Sequence, residues 1–438
     1  MTPSPGVTPG LAPRRAALSI LEQTASGIPF EEALAAGLEG LKDDDRRLAH
    51  ELAAGVLRGR TELDAHLQPL VHRGWESVTP ALRDILRIGT YQLTGLDRVP
   101  PHAAVSTTVA LARERLGNPA ARFANAILRG IGGNATPPAR ETDLAASLAA
   151  RTSHPDWLVR RWLARFGEVE TEVLLNWNNS RPSLILQPAR AALDTLQQRC
   201  WEAGIGARRA PFDAGLVVSA SRPQDIPGFD SGDFLVQDAA QGLVSRFADP
   251  PAGGTVYDAC AAPGGKTIAL GRHAGRVLAT ERSRPRARRL AENLARAGSG
   301  REWAVVGSVL SPPCRSADLV LLDASCLGTG TFARHPDARW RVSSAALTHL
   351  ARGQAEMLDA AAPVVRPGGW LVYATCSLEP EENEEQVTAF LERHQAFRRD
   401  PPTGFPAELL SAAGDLALLP QRHAVDGAFA ARLRNITS

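Results

Sequence analysis

The sequence predicts an all-α region at the N-terminus, then a small α/β module, then a doubly wound α/β region. Three observations support this order. Between residues 14 and 130, apolar residues recur at spacings of three and four, the period of an amphipathic helix. From residue 234 onward, short apolar runs alternate with helical segments, as expected for a parallel sheet covered by helices on both faces. A glycine-rich loop follows the first of these runs, at the edge where such sheets bind ligands.

The N-terminal part begins with a segment rich in proline and glycine, residues 1–13. This composition predicts a disordered leader that lacks the features of a signal peptide. The helical bundle is expected over residues 14–130, and residues 131–144 have the composition of a linker. Proline and glycine predict breaks between the helices of the bundle. These breaks fall at residues 27–29, 78–80, 99–101 and 117–119.

Strands and helices are expected in both α/β regions. In the small module, residues 145–233, the pattern predicts strands at 184–187 and 216–219 and a helix at 193–203. In the third region, residues 234–438, Gly368 and Gly369 are expected to turn the chain back toward the sheet after a long helix. Its helices are predicted at 284–297 and 345–365. Its strands are predicted at 255–258, 276–280, 303–306, 317–322 and 370–374.

The composition predicts a cytoplasmic protein with an anionic partner. No apolar run reaches the ~20 residues that a membrane-spanning helix needs, so we expect no membrane association. The five cysteines form no C-x-x-C pair, which disfavours disulfides and a zinc site, and we expect no metal. Nine arginines and two glutamates lie between Arg272 and Arg301, which favours a polyanion such as RNA. A general preference for arginine is the alternative, because only two of the 49 basic residues are lysines.

Three loops follow predicted strands and meet at one edge of the parallel sheet. They are residues 258–267, 323–330 and 373–377. In the first loop, Gly264 and Gly265 allow a nucleotide-like ligand to approach the backbone closely. Cys260 occupies the position of the first glycine of a Walker loop, which disfavours ATP. Glu281 ends the next strand, where a carboxylate typically accepts hydrogen bonds from a ribose. An ordinary tight turn and a solvated glutamate are the alternatives.

The second and third loops carry Cys326 and Cys376, and each of these cysteines follows a strand rather than lying inside it. A free thiol is only ~3% thiolate at pH 7, so a nucleophilic cysteine needs a positive charge or a base nearby. The candidates in the sequence are Lys266, Arg334 and His335. Asp323 could contact a ring nitrogen of a bound base. Two thiols suit the methylation of a pyrimidine at carbon 5, in which one sulfur adds to carbon 6 and a base later removes the carbon-5 proton. A small buried hydrophobe is the alternative reading of each cysteine.

Together with these loops, five further segments resemble those of one family. They are residues 123–129, 153–158, 236–241, 334–340 and 423–427. The chain resembles, over nearly its whole length, the bacterial small-subunit (16S) rRNA cytosine-5 methyltransferases that carry an N-terminal NusB-like domain. The resemblance implies a NusB-like helical bundle and a Rossmann-like class I methyltransferase domain. It also implies S-adenosylmethionine as the methyl donor and small-subunit rRNA as the partner, and we expect a monomer.

The resemblance assigns roles to the candidate site residues. It implies that Cys376 attacks carbon 6, that Cys326 assists release of the product, and that Asp323 contacts the target cytosine. Lys266 completes the expected catalytic group. The residues expected to line the donor site are Cys260, Ala261, Ala262, Pro263, Gly264, Gly265, Lys266, Glu281, Ser308 and Asp323. DNA cytosine methyltransferases take their nucleophile from the loop that corresponds to Cys326, so the additional thiol at Cys376 points to RNA.

Four positions depart from the pattern of this family. Ser325 and Leu327, on either side of Cys326, replace the usual proline and the usual serine or threonine. Ser308 replaces aspartate, and Ala428 stands where the family has phenylalanine. Two alternatives therefore stay open: a non-catalytic RNA-binding factor in ribosome assembly, and a cytosine-5 methyltransferase that acts on tRNA. The loop of Cys376 is intact, and we therefore favour an active rRNA methyltransferase that acts on an extruded base.

Overall fold

The structure is a computed structural model that describes residues 10–131, 143–220 and 222–437. The internal contacts of the chain divide it into two compact units. The first unit contains Met1–Ser180 and Phe332–Arg341, and the second contains Arg181–Thr331 and Val342–Ser438.

The first unit is helical. Its helices are α1 (Leu11–Ala25), α2 (Phe30–Gly37), α3 (Asp43–Arg58), α4 (Arg60–Leu67), α5 (Pro80–Thr94), α6 (Pro101–Leu116), α7 (Asn118–Ile131), α8 (Leu144–Thr152) and α9 (Asp156–Asn179). The apolar residues at helical spacing form the core, in which Leu52, Ile85 and Leu128 are buried. Helices α5 and α6 begin at the predicted prolines, because proline fits the first turn of a helix and not its interior.

The structure differs from two of the predicted boundaries in this region. Helix α1 begins at Leu11, which is buried, three residues before the predicted start of the bundle. The rest of the predicted leader, residues 1–9, lies outside the described residues, as does most of the predicted linker, residues 132–142. Helices α8 and α9 belong to the helical unit and not to the α/β module expected from residue 145, because Leu158 and Trp162 are buried within that unit.

A segment from the second half of the sequence, Phe332–Arg341, also belongs to the helical unit. Arg339 has no exposed surface and donates to the carbonyl of Asn178 at 2.8 Å. The indole of Trp340 donates to the carbonyl of Leu57, also at 2.8 Å. Buried polar groups need such partners, so the hydrogen bonds make this segment an integral part of the helical unit.

The second unit opens with a four-stranded antiparallel sheet. Its strands are β1 (Leu184–Pro188), β2 (Ala207–Arg209), β3 (Leu216–Val218) and β4 (Phe234–Val236), in the order β2-β3-β1-β4. Helix α10 (Leu193–Glu202) covers one face through Leu196 and Cys200. The predictions for β1, β3 and α10 are correct to within one residue, whereas the three-residue strands β2 and β4 were too short for a periodic pattern.

A sheet of eight strands forms the rest of this unit. The strands are β5 (Thr255–Asp258), β6 (Arg276–Glu281), β7 (Glu302–Val306), β8 (Ala317–Asp323), β9 (Val365–Thr375), β10 (Phe397–Arg399), β11 (Leu416–Leu418) and β12 (Ala428–Asn435). The helices are α11 (Ala239–Ala248), α12 (Gly265–Gly271), α13 (Arg284–Ala297), α14 (Ser344–Ala361), α15 (Glu384–Arg393) and α16 (Pro420–His423). The strand order is β10-β12-β9-β8-β5-β6-β7, and β11 pairs with β12.

Helices bury both faces of the parallel strands, which explains their continuous apolar sequences. Alternate residues face opposite sides: Val256 and Leu321 lie in one core, and Tyr257 and Leu322 lie in the other. Helices α11 and α12 contribute to the first core, and α14 and α15 contribute to the second. The predicted doubly wound arrangement is therefore confirmed. Within the described ranges, no helix combines the length and the apolar character needed to span a bilayer.

One predicted turn is wrong. Gly368 and Gly369 lie inside β9, which begins at Val365, and not before the strand. Gly368 has a φ of +74°, and the register of β9 against β8 shifts in this region. These features indicate a bulge, which a search for continuous apolar runs interprets as a turn.

The order of the strands in the large sheet changes direction between β5 and β8. From β5 the chain adds β6 and β7 on one side, and it then crosses to add β8 and β9 on the other. In open α/β sheets, a ligand crevice forms at the carboxyl ends of the strands at such a switch point. The residues that end β5 and β8, Asp258 and Asp323, therefore mark the centre of the candidate site.

Candidate active site

The glycine loop between β5 and α12 is fixed by close packing. Gly264 has a φ of +108°, which a side chain rarely tolerates, and a Cβ there would lie 2.9 Å from Leu290 Cδ1. A Cβ on Gly265 would lie 2.6 Å from the Gln237 side chain. The amide of Ala261 donates to the carbonyl of Thr280 at 2.9 Å, which ties the loop to β6. Both predicted glycines are therefore required by the shape of the loop.

Asp258 ends β5 with a buried and incompletely paired carboxyl group. Its Oδ2 accepts a hydrogen bond from Thr267 Oγ1 at 2.7 Å, and its Oδ1 has no hydrogen-bond partner within the described residues. Burial raises the pKa of Asp258 to about 7, against the opposing effect of the Thr267 hydrogen bond. An unpaired buried oxygen is costly, and here it lies at the edge where the sheet binds ligands.

Two further predicted donor-site residues follow the next strands, and a third, Cys260, lies in the glycine loop after β5. Glu281, at the end of β6, is buried, and its Oε1 accepts a hydrogen bond from the amide of Ser283 at 2.8 Å. Ser308, after β7, accepts from the amide of Leu310 at 3.2 Å, so its hydroxyl proton is still available to a ligand. Burial raises the pKa of Cys260 to about 12, and this thiol is therefore a packing group rather than a nucleophile.

These groups fit S-adenosylmethionine, which presents a ribose diol, an adenine, a sulfonium and an amino-acid end that carries an ammonium group and a carboxylate. Asp258 and Glu281 would accept hydrogen bonds from its hydroxyl and ammonium groups, and Ser308 would donate to a ring nitrogen of the adenine. The glycine loop leaves no side chain between the ligand and the backbone. Bound there, S-adenosylmethionine supplies an electrophilic methyl group.

An ion pair joins the two sides of the switch point. Lys266 Nζ, on α12, donates to Asp323 Oδ2 at 2.7 Å, and it also donates to Gln241 Oε1 on α11. The Lys266 side chain is 9% exposed and that of Asp323 is 30% exposed, so the carboxylate remains open to a ligand. The structure thus brings together Lys266 and Asp323, two residues from the predicted catalytic group.

The two predicted thiols also come together. Cys326 follows β8 and Cys376 follows β9, and their sulfur atoms are 3.4 Å apart. The backbone of the two loops is joined by a hydrogen bond from Gly330 N to Cys376 O at 3.0 Å. A Cβ on Gly330 would lie 2.6 Å from the Cα of Gly427, so this glycine permits a close approach of two backbones. The pairing of β8 with β9 therefore determines the sulfur–sulfur distance.

The environment distinguishes one thiol from the other. The hydrogen bond with Cys376 raises the pKa of Cys326 well above its ordinary value, and burial and the negative charge of Glu382 act in the same direction. Two sulfur atoms at this distance do not both ionise near neutral pH. The raised pKa favours the protonated form of Cys326, and the geometry allows either sulfur to be the hydrogen-bond donor.

The three basic candidates are divided between the two units. Of the three basic candidates, Lys266 belongs to the second unit, which also contains both thiols. Arg334 and His335 belong to the helical unit, where His335 Nδ1 lies 3.9 Å from Glu31 Oε1.

Sequence reasoning missed two groups at this site. Glu382 has no exposed surface and accepts a hydrogen bond from the amide of Leu327 at 3.0 Å. It lies in an acidic run, residues 379–385, that is typical of a solvated surface. Gln241 holds Lys266, and the sequence included it only in the family-like segment 236–241, without a role.

The comparisons with known proteins agree with this geometry. The sequence profile described as "16S rRNA methyltransferase RsmB/F" matches residues 246–434, and that of the NusB family matches residues 11–132. Proteins named ribosomal RNA small subunit methyltransferase B are 34% identical in Citrobacter koseri and 36% identical in Cronobacter sakazakii. The first alignment covers 86% of this chain and 89% of the relative, and the second covers 81% and 83%.

Solved structures share the fold. The crystal structure of PH0851 superposes with a TM-score of 0.84 at 25% identity and covers 98% of this chain and 99% of that one. A methyltransferase homologue from Pyrococcus horikoshii gives a TM-score of 0.57 at 26% identity and covers 67% and 100%. The predicted NusB-like bundle and the predicted methyltransferase domain are thereby confirmed. The chain belongs to the 16S rRNA methyltransferase RsmB/F family, whose methyl donor is S-adenosylmethionine.

Proposed function

We propose that this protein methylates carbon 5 of a cytosine in small-subunit rRNA through a covalent bond between Cys376 and carbon 6. The observation that carries the proposal is the pair of sulfur atoms, 3.4 Å apart, at the ends of β8 and β9. One thiol suffices for addition to carbon 6, so a second thiol at this distance indicates a separate step. The relatives named as small-subunit rRNA methyltransferases supply the class of substrate.

The first step uses Cys376 and the ion pair. The thiolate of Cys376 adds its electron pair to carbon 6, and the π electrons of the carbon 5–carbon 6 bond move into the ring. Asp323, held by Lys266 at 2.7 Å, accepts a hydrogen bond from the exocyclic amino group of the cytosine. The ammonium of Lys266 offsets the negative charge that develops on the ring. Carbon 5 is now nucleophilic, and a donor held at the glycine loop would supply the methyl group as its bond to the sulfonium sulfur breaks.

The second step uses Cys326. Once Cys376 has become a neutral thioether, it no longer accepts a hydrogen bond as a thiolate, and this main cause of the raised pKa of Cys326 disappears. Cys326 then releases its proton to water and removes the proton of carbon 5. The electron pair restores the carbon 5–carbon 6 double bond, the bond from carbon 6 to sulfur breaks, and Cys376 leaves as a thiolate. The net products are methylated RNA, the demethylated donor and one proton.

Methyl transfer from labelled S-adenosylmethionine to unmodified small-subunit rRNA tests the assignment. Cys376→Ala is expected to abolish transfer, and Cys326→Ala is expected to accumulate a protein–RNA adduct on denaturing gels. Cys314→Ala is the matched control, because Cys314 is a half-buried thiol of the same unit outside the two loops. Retention of wild-type transfer by Cys376→Ala would refute the assigned nucleophile.

The substitutions at Ser325, Leu327 and Ser308 keep a non-catalytic RNA-binding role as the second candidate. That candidate predicts RNA binding without donor binding, so calorimetry with S-adenosylmethionine separates the two functions. Parallel transfer assays with tRNA and with small-subunit rRNA separate the two substrates. Bisulfite mapping of rRNA with and without the protein then identifies the nucleotide.

A further inference from the structure

The loop of Cys326 is held by a closed network of hydrogen bonds. Ser325 replaces a residue that would stiffen the backbone, yet its carbonyl accepts from Gln354 Nε2 at 2.9 Å. On the other side of Cys326, the amide of Leu327 donates to both oxygens of Glu382, at 3.0 and 3.2 Å. Gln354 Nε2 also donates to Glu382 at 3.0 Å. The peptide groups on both sides of the thiol are therefore fixed.

Glu382 also reaches the loop of the other thiol. The hydroxyl of Ser377, the residue that follows Cys376, is close enough to this carboxylate to lower the pKa of Glu382. The hydroxyl of Tyr373, in β9, donates to the carbonyl of Glu382 at 2.6 Å, which fixes the position of its main chain. One buried carboxylate thus contacts both of the loops that carry the reactive sulfur atoms.

The charge of Glu382 is costly to the fold. Glu382 is 0% exposed, and across the described ranges it forms no ion pair with a lysine, arginine or histidine. Burial raises its pKa, while hydrogen bonds from Ser377, Leu327 and Gln354 oppose that effect. A glutamine or a leucine of similar volume would avoid the cost of burying a charge. The negative charge beside Cys326 therefore calls for a role that a neutral group does not fill.

We infer, on the basis of the proposed function, that Glu382 is a positioning residue that assigns different roles to the two thiols. It holds the loop of Cys326 through the Leu327 amide, and it keeps a negative charge next to Cys326 throughout the reaction. In the resting site this charge keeps the proton on Cys326, so Cys376 alone attacks. After the adduct forms, the same charge makes the Cys326 thiolate a stronger base for the carbon-5 proton.

The test measures the ionisation of Cys326 directly. In a Cys376→Ser background, the rate of alkylation of Cys326 by iodoacetamide is followed against pH by peptide mass spectrometry. Adding Glu382→Gln should move the midpoint toward lower pH by about one unit, which is about tenfold faster alkylation at pH 7. The matched control is Glu385→Gln, because Glu385 is an exposed member of the same acidic run. The control should leave the profile unchanged.

A second readout follows the reaction. With Cys376 intact, Glu382→Gln should slow the release of the protein–RNA adduct more than its formation. Glu382→Asp keeps the negative charge and weakens the hydrogen bonds from the Leu327 amide. It should therefore slow the release of the protein–RNA adduct, while the pH midpoint of Cys326 alkylation stays within about 0.3 units of that in the Cys376→Ser protein. This variant also keeps the test valid if Glu382→Gln does not fold.

Two results would overturn the inference. The first is a folded Glu382→Gln variant with an unchanged alkylation profile, and the second is a Glu382→Asp variant whose midpoint falls by a full unit. The alkylation profile needs neither RNA nor S-adenosylmethionine. A failure of methyl transfer in the wild-type protein would therefore refute the proposed function without affecting this measurement.

Discussion

The replacement Asp258→Asn should remove a loss of stability that the methyltransferase unit suffers as the pH rises from about 4 to 7. Asp258 is 1% exposed, and burial raises its pKa from 3.8 to about 7. Between these two pH values the folded protein holds a proton on Asp258 that the unfolded chain has lost. The free energy of unfolding therefore falls as the pH rises through this window, and the loss is complete above pH 7. Asparagine has the same shape and does not titrate.

The magnitude follows from the difference between the two pKa values. Each unit corresponds to about 1.36 kcal/mol, so a difference of about three units costs the wild-type protein about 4 kcal/mol at pH 8. Asparagine keeps an oxygen that can accept the hydrogen bond from Thr267. The variant should therefore match the wild type near pH 4 and exceed its stability by a few kcal/mol at pH 8. Other titrating groups, including Glu382, occur in both proteins and cancel in the difference.

The assay is urea unfolding at pH 5, 6, 7 and 8, combined with hydrogen exchange of peptides that cover β5 and α12. Asp318→Asn is the matched control, because Asp318 is a half-buried carboxylate in the same sheet that already has partners. It accepts from the amide of Thr255 at 2.6 Å and pairs with Arg366. This control should be less stable than the wild type at pH 8. An Asp258→Asn variant whose stability difference from the wild type does not change between pH 5 and 8 would refute the reasoning.

Three further predictions concern other parts of the molecule. Lys266→Met should lower kcat for methyl transfer by about 100-fold, because Asp323 loses its only hydrogen-bonded cation in the described part of the chain and the negative charge on the ring is no longer offset. Initial rates with labelled donor measure this effect, and an unchanged kcat would exclude a role for the ion pair. Gly330→Ala should destabilise the protein by about 1–3 kcal/mol, because its Cβ would lie 2.6 Å from the Gly427 backbone. Gly353 lies in the middle of α14 with open space around it, so Gly353→Ala should stabilise the protein by up to about 1 kcal/mol. Urea midpoints that fail to move in opposite directions for the two variants would contradict the packing argument. Arg339→Met should leave the Asn178 carbonyl without its buried donor and lower the stability of the helical unit by about 2–4 kcal/mol, which hydrogen exchange of α9 would reveal as faster exchange.

The sequence predicts a strand well where every residue of that strand is buried on both faces of the sheet. Strand β5 lies between two buried cores, so every residue from Val256 to Asp258 is apolar or buried, and the predicted bounds are correct. Strand β12 has the sequence AFAARLRN, in which Arg432 and Arg434 interrupt the apolar pattern. Both guanidinium groups lie over the ring of Trp370, at 4.4 and 5.6 Å from its centroid. The arginine stems cover an apolar surface, so a strand that appears polar in sequence is paired inside the sheet.

In the candidate site, the sequence predicts the loops that directly follow a strand, and it does not predict contacts between residues that are far apart in the chain. The glycine loop and the two thiol loops each follow a strand directly, so their place at one edge of the sheet follows from the order of strands and helices alone. Segment Phe332–Arg341 could not be assigned to the helical unit in this way, because Trp340 meets Leu57 at a separation of 283 residues. Glu382 was missed for a related reason. Burial decides whether an acidic run is solvated, and the local sequence does not encode burial.

The carboxylates and cations at the edge of the large sheet indicate which charge of ligand the site favours. Asp258, Glu281 and Asp323 end three strands at one edge of the sheet. Lys266 is hydrogen-bonded to Asp323, and the guanidinium of Arg286 lies 3.5 Å from Glu281, so the three carboxylates face two cations. A surplus of carboxylates in a poorly solvated crevice favours a cationic ligand, and S-adenosylmethionine carries both a sulfonium and an ammonium group. The same surplus opposes a polyanion. The arginine-rich α13, whose exposed residues include Arg284, offers the opposite charge to RNA phosphates on the same unit. Separate surfaces of opposite sign therefore allow one unit to hold a cationic donor and an anionic substrate.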